Sequence, residues 1–463
     1  MDRIRAFYAD KTGFIRALES AETGKAYLLF LRPRRFGKSL LLSMLESYYD
    51  QAQAGAFDEL FTGLAIHADP TPLQGKYLVL RLDFSTVDVY SGAELLRATF
   101  FASVRAKVRA FLMRYAALPS YAAMLARLDS YQDPVSLMLD LFASTPAGQR
   151  IYLMVDEYDN FSNELIAQRQ TDLYHQIMGG SGFVRTFYKT LKEASGAGPI
   201  ARILLTGVSP VTLDDLSSGF NIVSQISLSP QFNALCGFTS AELAQAVAQF
   251  VARTPQYASA EELLAELRRS YNGYRFARAA TERLCNPDMV LYYLMQLREQ
   301  QGPPTELLDF NVRTDYGKLR QLATPPEGDR VEHRALMESI LTEGAVLAPL
   351  HDRFGARQLY ERHHLISLLY FMGLLTIGGV EKGQLRLEVP NQVVRTLHWE
   401  GLIQLLRERE GILVDTMALQ AAVSRMAYDG EIDGYLELIQ AQVLAVLSNR
   451  DLIRFDEKHL KMV

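Results

Sequence analysis

Apolar residues follow two alternating patterns along this chain. Short runs dense in Leu, Ile and Val are separated by longer segments with helical spacing. Four such runs stand out in the first half: Ala26–Leu31 (AYLLFL), Lys76–Phe84 (KYLVLRLDF), Arg150–Asn160 (RIYLMVDEYDN) and Ala201–Pro210 (ARILLTGVSP). Two of them run into acids, Asp83 in one and Asp156-Glu157 in the other, and the last is stopped by Gly207 and Pro210. Bounded apolar runs of this kind read as strands buried on both faces. The segments between them, such as Gly92–Leu118, have the periodicity of amphipathic helices. Strands alternating with helices predict right-handed βαβ units and a parallel sheet. Ligands of such sheets bind at the carboxyl edge.

After Phe238 the strand signal fades. GFTSAELAQAVAQFVA opens with a helix cap at Thr239 or Ser240, and helical segments continue to about residue 300. Gln301–Phe310 and Thr324–Asp329 read as loops. Short helices then lead into Gly373–Pro390, a hairpin with a glycine in its turn, and helices run to the end. Helices followed by a small hairpin suit a winged helix without being specific to one. The pattern divides the chain into an α/β core at 1–236, a helical unit at 237–300 and a mostly helical region at 301–463.

Composition narrows the class. The chain has 463 residues, 49% hydrophobic and 22% charged, an ordinary globular balance long enough for more than one domain. A net charge of −5 neither demands nor excludes nucleic acid. Cys236 and Cys285 have no metal-ligand spacing, so a reducing, cytoplasmic setting is expected. The N-terminus is too charged for a secretory signal. No window of about 18 uncharged apolar residues predicts a membrane span. His364–Ile377 comes nearest, and its Gly373 fits a buried helix running into a strand better.

The first run leads into RPRRFGKSL, Arg32–Leu40. Gly37, Lys38 and Ser39 match the end of a phosphate-binding loop, but Arg32 stands where the first glycine of that motif belongs. Backbone N–H groups at a helix start would cradle phosphates. Lys38 would reach the β/γ oxygens, Ser39 would offer Mg²⁺ a hydroxyl and Gly37 would permit close approach. Arg32 and Pro33 lack glycine's freedom, so the loop must enter by another path. Arg34 and Arg35 read as charges near phosphate, as solvated side chains or as structural ones. Asp156 suits a Mg²⁺-site acid and Glu157 a base or water-orienting group. Thr206, at the tip of the fourth run, would contact the γ-phosphate or attacking water, or simply make a turn bond.

These residues carry a family resemblance. YADKT (Tyr8–Thr12), RPRRFGKSL, VDEYD (Val155–Asp159), TGVSP (Thr206–Pro210), GFTSAEL (Gly237–Leu243), YNGYRF (Tyr271–Phe276), Asn286-Pro287, LLYFMGLLTI (Leu368–Ile377) and VPNQVVR (Val389–Arg395) occur in this order. The chain resembles the bacterial and archaeal AAA-ATPase-like family over nearly its whole length. Glutamate is common in that family where Gln392 stands here. The resemblance implies an additional-strand, AAA-like P-loop NTPase core with a helical lid, ATP as nucleotide, and Mg²⁺. By the same resemblance, Arg32–Leu40 bind the nucleotide, Lys38 and Ser39 are phosphate and Mg²⁺ ligands, Asp156 is the Mg²⁺-site acid and Glu157 the hydrolytic base. Asp10 or Lys11 would line the pocket or only pack, and so would Tyr274 fix the lid or only pack. Family members usually end in a PD-(D/E)XK nuclease, which suggests control of a nuclease or DNA-directed partner. The chain ends where that domain would begin, so no nuclease activity is expected of it. Asp451 and Asp456-Glu457-Lys458 copy the nuclease letters but read as a solvated helix face. A non-hydrolysing nucleotide switch and an assembly scaffold are the alternatives.

An arginine finger would come from Arg185 or Arg202, read as exposed, or from a neighbouring copy in a homo-oligomer. His363 and His364 are adjacent and read as surface or packing residues. Trp399 reads as core, and both cysteines as buried, inert thiols. Arg105 and Arg109, one helical turn apart, read as a solvated face.

Overall fold

The structure is a computed structural model. It describes residues 7–441, excepting 21–25, 90–91, 197, 217–219, 255–258, 301, 305, 325–329 and several positions between 411 and 429. Helix α1 (Phe14–Glu19) precedes β1 (Tyr27–Leu31), which runs through the 32–37 loop into α2 (Lys38–Tyr49). Next come α3 (Phe57–Phe61), β2 (Leu78–Asp83), α4 (Ala93–Arg114), α5 (Pro119–Ala126) and α6 (Pro134–Ala143). They are followed by β3 (Ile151–Asp156), α7 (Asn160–Ala167), α8 (Thr171–Met178), α9 (Phe183–Gly196), β4 (Ile200–Gly207), α10 (Val211–Asp215) and the short β5 (Ser224–Gln225).

These strands form one parallel sheet in the order β2-β3-β4-β1-β5. All four apolar runs became its strands, and β5 is too short to leave a sequence pattern. β4 stands between β1 and β3, the additional-strand order expected for an AAA-like core. Every residue of β3 is buried, so both sheet faces are covered, as uninterrupted apolar strands require. Helix α2 packs on β2 and β3, where Tyr49 meets Tyr152 with ring centroids 5.1 Å apart. Helices α4, α6 and α9 form a connected layer over β2 and β4. The carboxyl ends of β1, β3 and β4 align through the pairs Leu31↔Gly207 and Val155↔Leu205. The 32–37 loop and the VDEYD turn therefore leave the same edge.

The second half continues with α11 (Ser240–Arg253), α12 (Ala260–Tyr271), α13 (Pro287–Gln300), α14 (Phe310–Ala323) and α15 (Arg330–Glu343). Thr239 caps α11, sharing reciprocal bonds with Glu242 in a capping box. Then come β6 (Ala345–Ala348), α16 (Arg362–Phe371), β7 (Thr376–Glu381), β8 (Gln384–Glu388) and α17 (Gln392–Glu410). The hairpin read at 373–390 is β7–β8, and β6 pairs along β8 to give the order β6-β8-β7. Its turn uses Lys382 and Gly383, both at positive φ, which matches the strand twist. The connectivity resembles a winged helix, but α16 is buried from Leu365 through Phe371. A helix buried on that many faces is not free to enter a DNA groove.

Segments from this second half converge on the 32–37 loop. Gly237 donates its N–H to the Phe36 carbonyl at 3.2 Å, and the Phe36 ring packs edge-on against Tyr274 and Phe276. The Tyr370 hydroxyl donates to the Phe276 carbonyl. Gly373, at φ +78°, lies against Pro33, where a Cβ would come within 2.7 Å of the proline Cγ. Gly373→Val therefore forces Pro33 aside and adds left-handed strain. The expected loss is about 2 kcal/mol or more, read as a lower urea midpoint with unchanged slope. An unaltered midpoint contradicts this packing.

Candidate functional site

The loop after β1 has an inner and an outer side. Arg35 and Gly37 both adopt positive φ, 68° and 97°, and turn the chain into the start of α2. No side chain caps that helix start, and no acid lies in its first turn. Its N–H groups and the positive end of its dipole thus face the sheet edge unopposed, which is the usual setting for bound phosphate. Lys38 is buried along this path. Its Nζ donates to the carbonyls of Arg32 and Pro33 and lies 3.8 Å from Glu157 Oε1. Ser39 and Leu40 are exposed on the first turn.

Arg32 requires a correction. Its side chain is 1% exposed and faces away from the phosphate side of the loop. The guanidinium lies between the rings of Phe30 and Phe276, 4.4 and 4.1 Å from their centroids. It donates to four carbonyls, those of Leu31, Ser227, Phe232 and Asn233. Burial without a carboxylate lowers its pKa to about 10, still charged at neutral pH. Arg32 fixes where the loop begins and is not a phosphate contact. Pro33 and Phe36 also turn inward, and their role is packing. Arg34 and Arg35 meet one acid from α14: Asp315 accepts from Arg34 at 2.7 Å and from Arg35 at 3.0 Å. Arg34 also donates to Asn160 on α7.

Across the edge, Asp156 ends β3 and is 2% exposed. Thr206 donates its hydroxyl to one carboxylate oxygen at 2.8 Å, and Arg81 of β2 donates to the other at 2.9 Å. Of the roles considered for Thr206, the geometry supports neither phosphate contact nor a turn bond. Its fully buried hydroxyl orients Asp156. Glu157 follows at φ +52°, held by Tyr158 N–H to the Thr206 carbonyl and Asn160 N–H to its own carbonyl. This strained turn aims Glu157 at Lys38. Asp159 is fully buried and accepts from the N–H groups of Val208 and Ser209 and from Asn163. A Cβ on Gly207 would sit 2.2 Å from Asp159 Oδ1, so glycine is needed there. VDEYD and TGVSP therefore form a single interlocked corner.

Other candidates resolve as follows. Asp10 accepts from Thr12 and from Ala65 N–H, and Lys11 pairs with Glu242 at 2.7 Å, so YADKT ties the N-terminal segment to α11 and the 64–66 turn. Tyr274 is a buried prop for Phe36. Arg202 is a correction: it is half-buried, close to Tyr152, and donates to the Leu18 carbonyl at the amino end of β4, opposite the site. Arg185 is half-buried in the first turn of α9. Arg105 lies over Phe101, and Arg109 pairs with Asp129. Both cysteines are buried, and burial pushes their thiols up to about 11 for Cys236 and about 12 for Cys285. His364 packs on His351 and Phe354. Trp399 is only half-buried, unlike the core residue expected. Asp451 and 456–458 lie outside the described residues. Arg81, Asp159 and Asp315 were not singled out from sequence. Arg81 alone left a trace there, as a charge inside an otherwise apolar strand.

Burial, with the Glu157 charge next, raises the Asp159 pKa from 3.8 to about 6. The folded state therefore holds this proton more tightly than the unfolded state does. The stability this provides is fully present below pH 3.8 and is lost as pH rises through about 6. Against Asp159→Asn, wild type is expected to lose about 2 kcal/mol between pH 4 and 6.5, measured by urea unfolding across that range. A parallel pH profile for the two proteins contradicts the assignment.

Comparison with known proteins places this geometry in context. Residues 2–217 match a family model described as "Predicted AAA-ATPase". A protein of Azotobacter chroococcum mcd 1, described as an uncharacterized protein in the vnfD 5′ region, is 28% identical over 422 residues. That alignment covers 89% of this chain and 69% of the other. Among solved structures, a Walker-type ATPase of Pyrococcus abyssi matches with a TM-score of 0.45 and 13% identity, covering 86% of this chain and 97% of that one. The matched segment holds β1 to β4, the 32–37 loop, Asp156, Glu157 and the TGVSP corner, and over that segment this chain is similar to the AAA-ATPase-like family.

Proposed function

We propose that this chain binds ATP with Mg²⁺ at the carboxyl edge of the sheet and hydrolyses it. One observation carries the reading: β4 lies between β1 and β3, which brings the uncapped start of α2, Lys38, Asp156 and Glu157 to one edge. The N–H groups of the loop and of the α2 start would hold the phosphates, with Lys38 shared between phosphate oxygens and the loop carbonyls it now contacts. Glu157, 21% exposed and aimed at that place, would accept a proton from the attacking water. Asp159 and Gly207 hold the turn that points Glu157 there.

The residues fit Mg²⁺. Serine hydroxyl and aspartate carboxylate are the hard oxygen donors this ion prefers. One Arg81 nitrogen reaches both Asp156 Oδ2, at 2.9 Å, and the Ser39 carbonyl, at 3.2 Å, so the two residues adjoin at this edge. Ser39 and Asp156 would hold the ion, and when bound it would neutralise phosphate charge. Among the described residues no group of three or more His, Cys, Asp or Glu could hold a metal, so phosphate oxygens and water would complete the coordination.

A regulatory role rests on a second contact. Asp315 of α14 holds Arg34 and Arg35 of the loop, so an entering phosphate competes for both arginines. Occupancy would thereby be transmitted to the C-terminal helices and to a nuclease or other DNA-directed partner. Among the described residues no helix is long and apolar enough to cross a membrane.

Calorimetric ATP binding and phosphate release test the reading together. Lys38→Ala is expected to lose binding by at least about tenfold, because the cation beside the start of α2 that would meet the β/γ oxygens is removed. Glu157→Gln is expected to keep binding within about threefold while turnover falls by about 10² or more. Wild-type binding without turnover would favour a nucleotide switch, and absent binding would overturn the reading.

A further inference from the structure

Arg81 is the positively charged side chain nearest to Asp156, and the function just described assigns it nothing. It projects from β2 toward α2, and its side chain is 21% exposed. One terminal nitrogen donates to Asp156 Oδ2 and to the Ser39 carbonyl, and the other donates to the Ser43 hydroxyl at 2.8 Å. The guanidinium thus spans the two residues that would hold Mg²⁺. Asp156 is buried, and its other side-chain partner among the described residues is the neutral Thr206 hydroxyl. A buried carboxylate with no cation is costly, so Arg81 balances its charge.

We propose that Arg81 is the resident cation of the metal-free site and competes with Mg²⁺ for Asp156. The inference rests on the ATP-site reading. A divalent ion on Asp156 Oδ2 and a guanidinium on the same oxygen repel each other at close range, so the two occupy it alternately. The guanidinium has a second seat. Glu46, further along the same face of α2, has Oε2 3.8 Å from Arg81 and is 15% exposed. Glu46 also pairs with Arg114 of α4, which in turn contacts Asp50, so the second seat is already set in a charged network. Moving from Asp156 to Glu46 shifts the guanidinium along α2 without exposing it to bulk water alone. Arg81 is therefore a positioning residue. It holds the Asp156 carboxylate and the first turn of α2 in place before metal arrives, and it raises the Mg²⁺ concentration needed for nucleotide to bind.

The test is the Mg²⁺ dependence of ATP binding, with Mn²⁺ alone as a second probe. ATP affinity is measured calorimetrically across a Mg²⁺ titration for wild type, Arg81→Gln and Arg81→Lys. Arg81→Gln should lower the Mg²⁺ midpoint by at least about threefold, a change that removal of a close charge readily produces. Arg81→Lys keeps the charge but loses the fork that spans Asp156, Ser39 and Ser43, so its midpoint should fall between the other two. If Arg81→Gln does not fold, that lysine variant carries the test. In nucleotide-free protein, Mn²⁺ followed by electron paramagnetic resonance should bind Arg81→Gln more tightly than wild type. Unchanged midpoints and unchanged Mn²⁺ binding in folded variants would make Arg81 purely structural and overturn the proposal while leaving the ATP site intact. Failure of wild type to bind ATP at any Mg²⁺ concentration would instead overturn the ATP-site reading, and this proposal with it.

Discussion

Everything at this sheet edge depends on one buried guanidinium. Arg32 sits under the 32–37 loop and satisfies four carbonyls drawn from β1 and from residues 227–233. A glycine at that position would let the loop start flexibly. An arginine there fixes the start and anchors it between Phe30 and Phe276. Hydrogen bonds from a charged donor contribute about 1.5–3 kcal/mol each, against the desolvation of the guanidinium. Its loss would leave buried carbonyls without donors. The loop's shape is thus dictated from beneath, by contacts that a phosphate never touches.

That anchor also explains why motifs distant in sequence occur together. Phe276 belongs to YNGYRF, Gly237 to GFTSAEL and Gly373 to LLYFMGLLTI, and each touches the loop or the ring under Arg32. The loop has two faces with separate duties. Arg32, Pro33 and Phe36 face the packed helices, while Gly37, Lys38 and Ser39 face the open edge. Arg34 and Arg35 connect the two through Asp315. On the proposed reading, a change in charge at the open face would be felt on α14 without any large movement of the sheet. Physical coupling of this kind needs two arrangements of one contact, and a carboxylate sharing its arginines with phosphate would supply them.

Much of this was legible in the sequence, for definable reasons. Uninterrupted apolar runs marked β1 to β4 because strands buried on both faces admit few polar residues. Gly383 marked the hairpin turn, and a cap at Thr239 or Ser240 marked the start of α11, because both are local. The placement of Lys38, Asp156 and Glu157 at the sheet edge was legible because each lies at or after a strand end. What escaped was long-range. Arg32 looked like a phosphate-facing residue because nothing near it in sequence shows the carbonyls 195 to 201 residues away. Thr206 looked like a catalytic sensor because its partner, Asp156, lies on another strand. Arg202 looked exposed because the register that carries it to the amino edge is set by pairing with β3. Asp315 gave no periodic or motif signal, and Asp159, although it closes VDEYD, gave no sign of its role, since the partners of both come from tertiary packing.

The most direct test of the central claim is a crystal structure with Mn²⁺ and a non-hydrolysable ATP analogue, read by the anomalous signal of the metal. This account predicts one metal peak between the Ser39 hydroxyl and Asp156, phosphate on Lys38 and the α2 start, and Arg32 unmoved. Nucleotide bound elsewhere, or a metal peak away from Ser39 and Asp156, would contradict it.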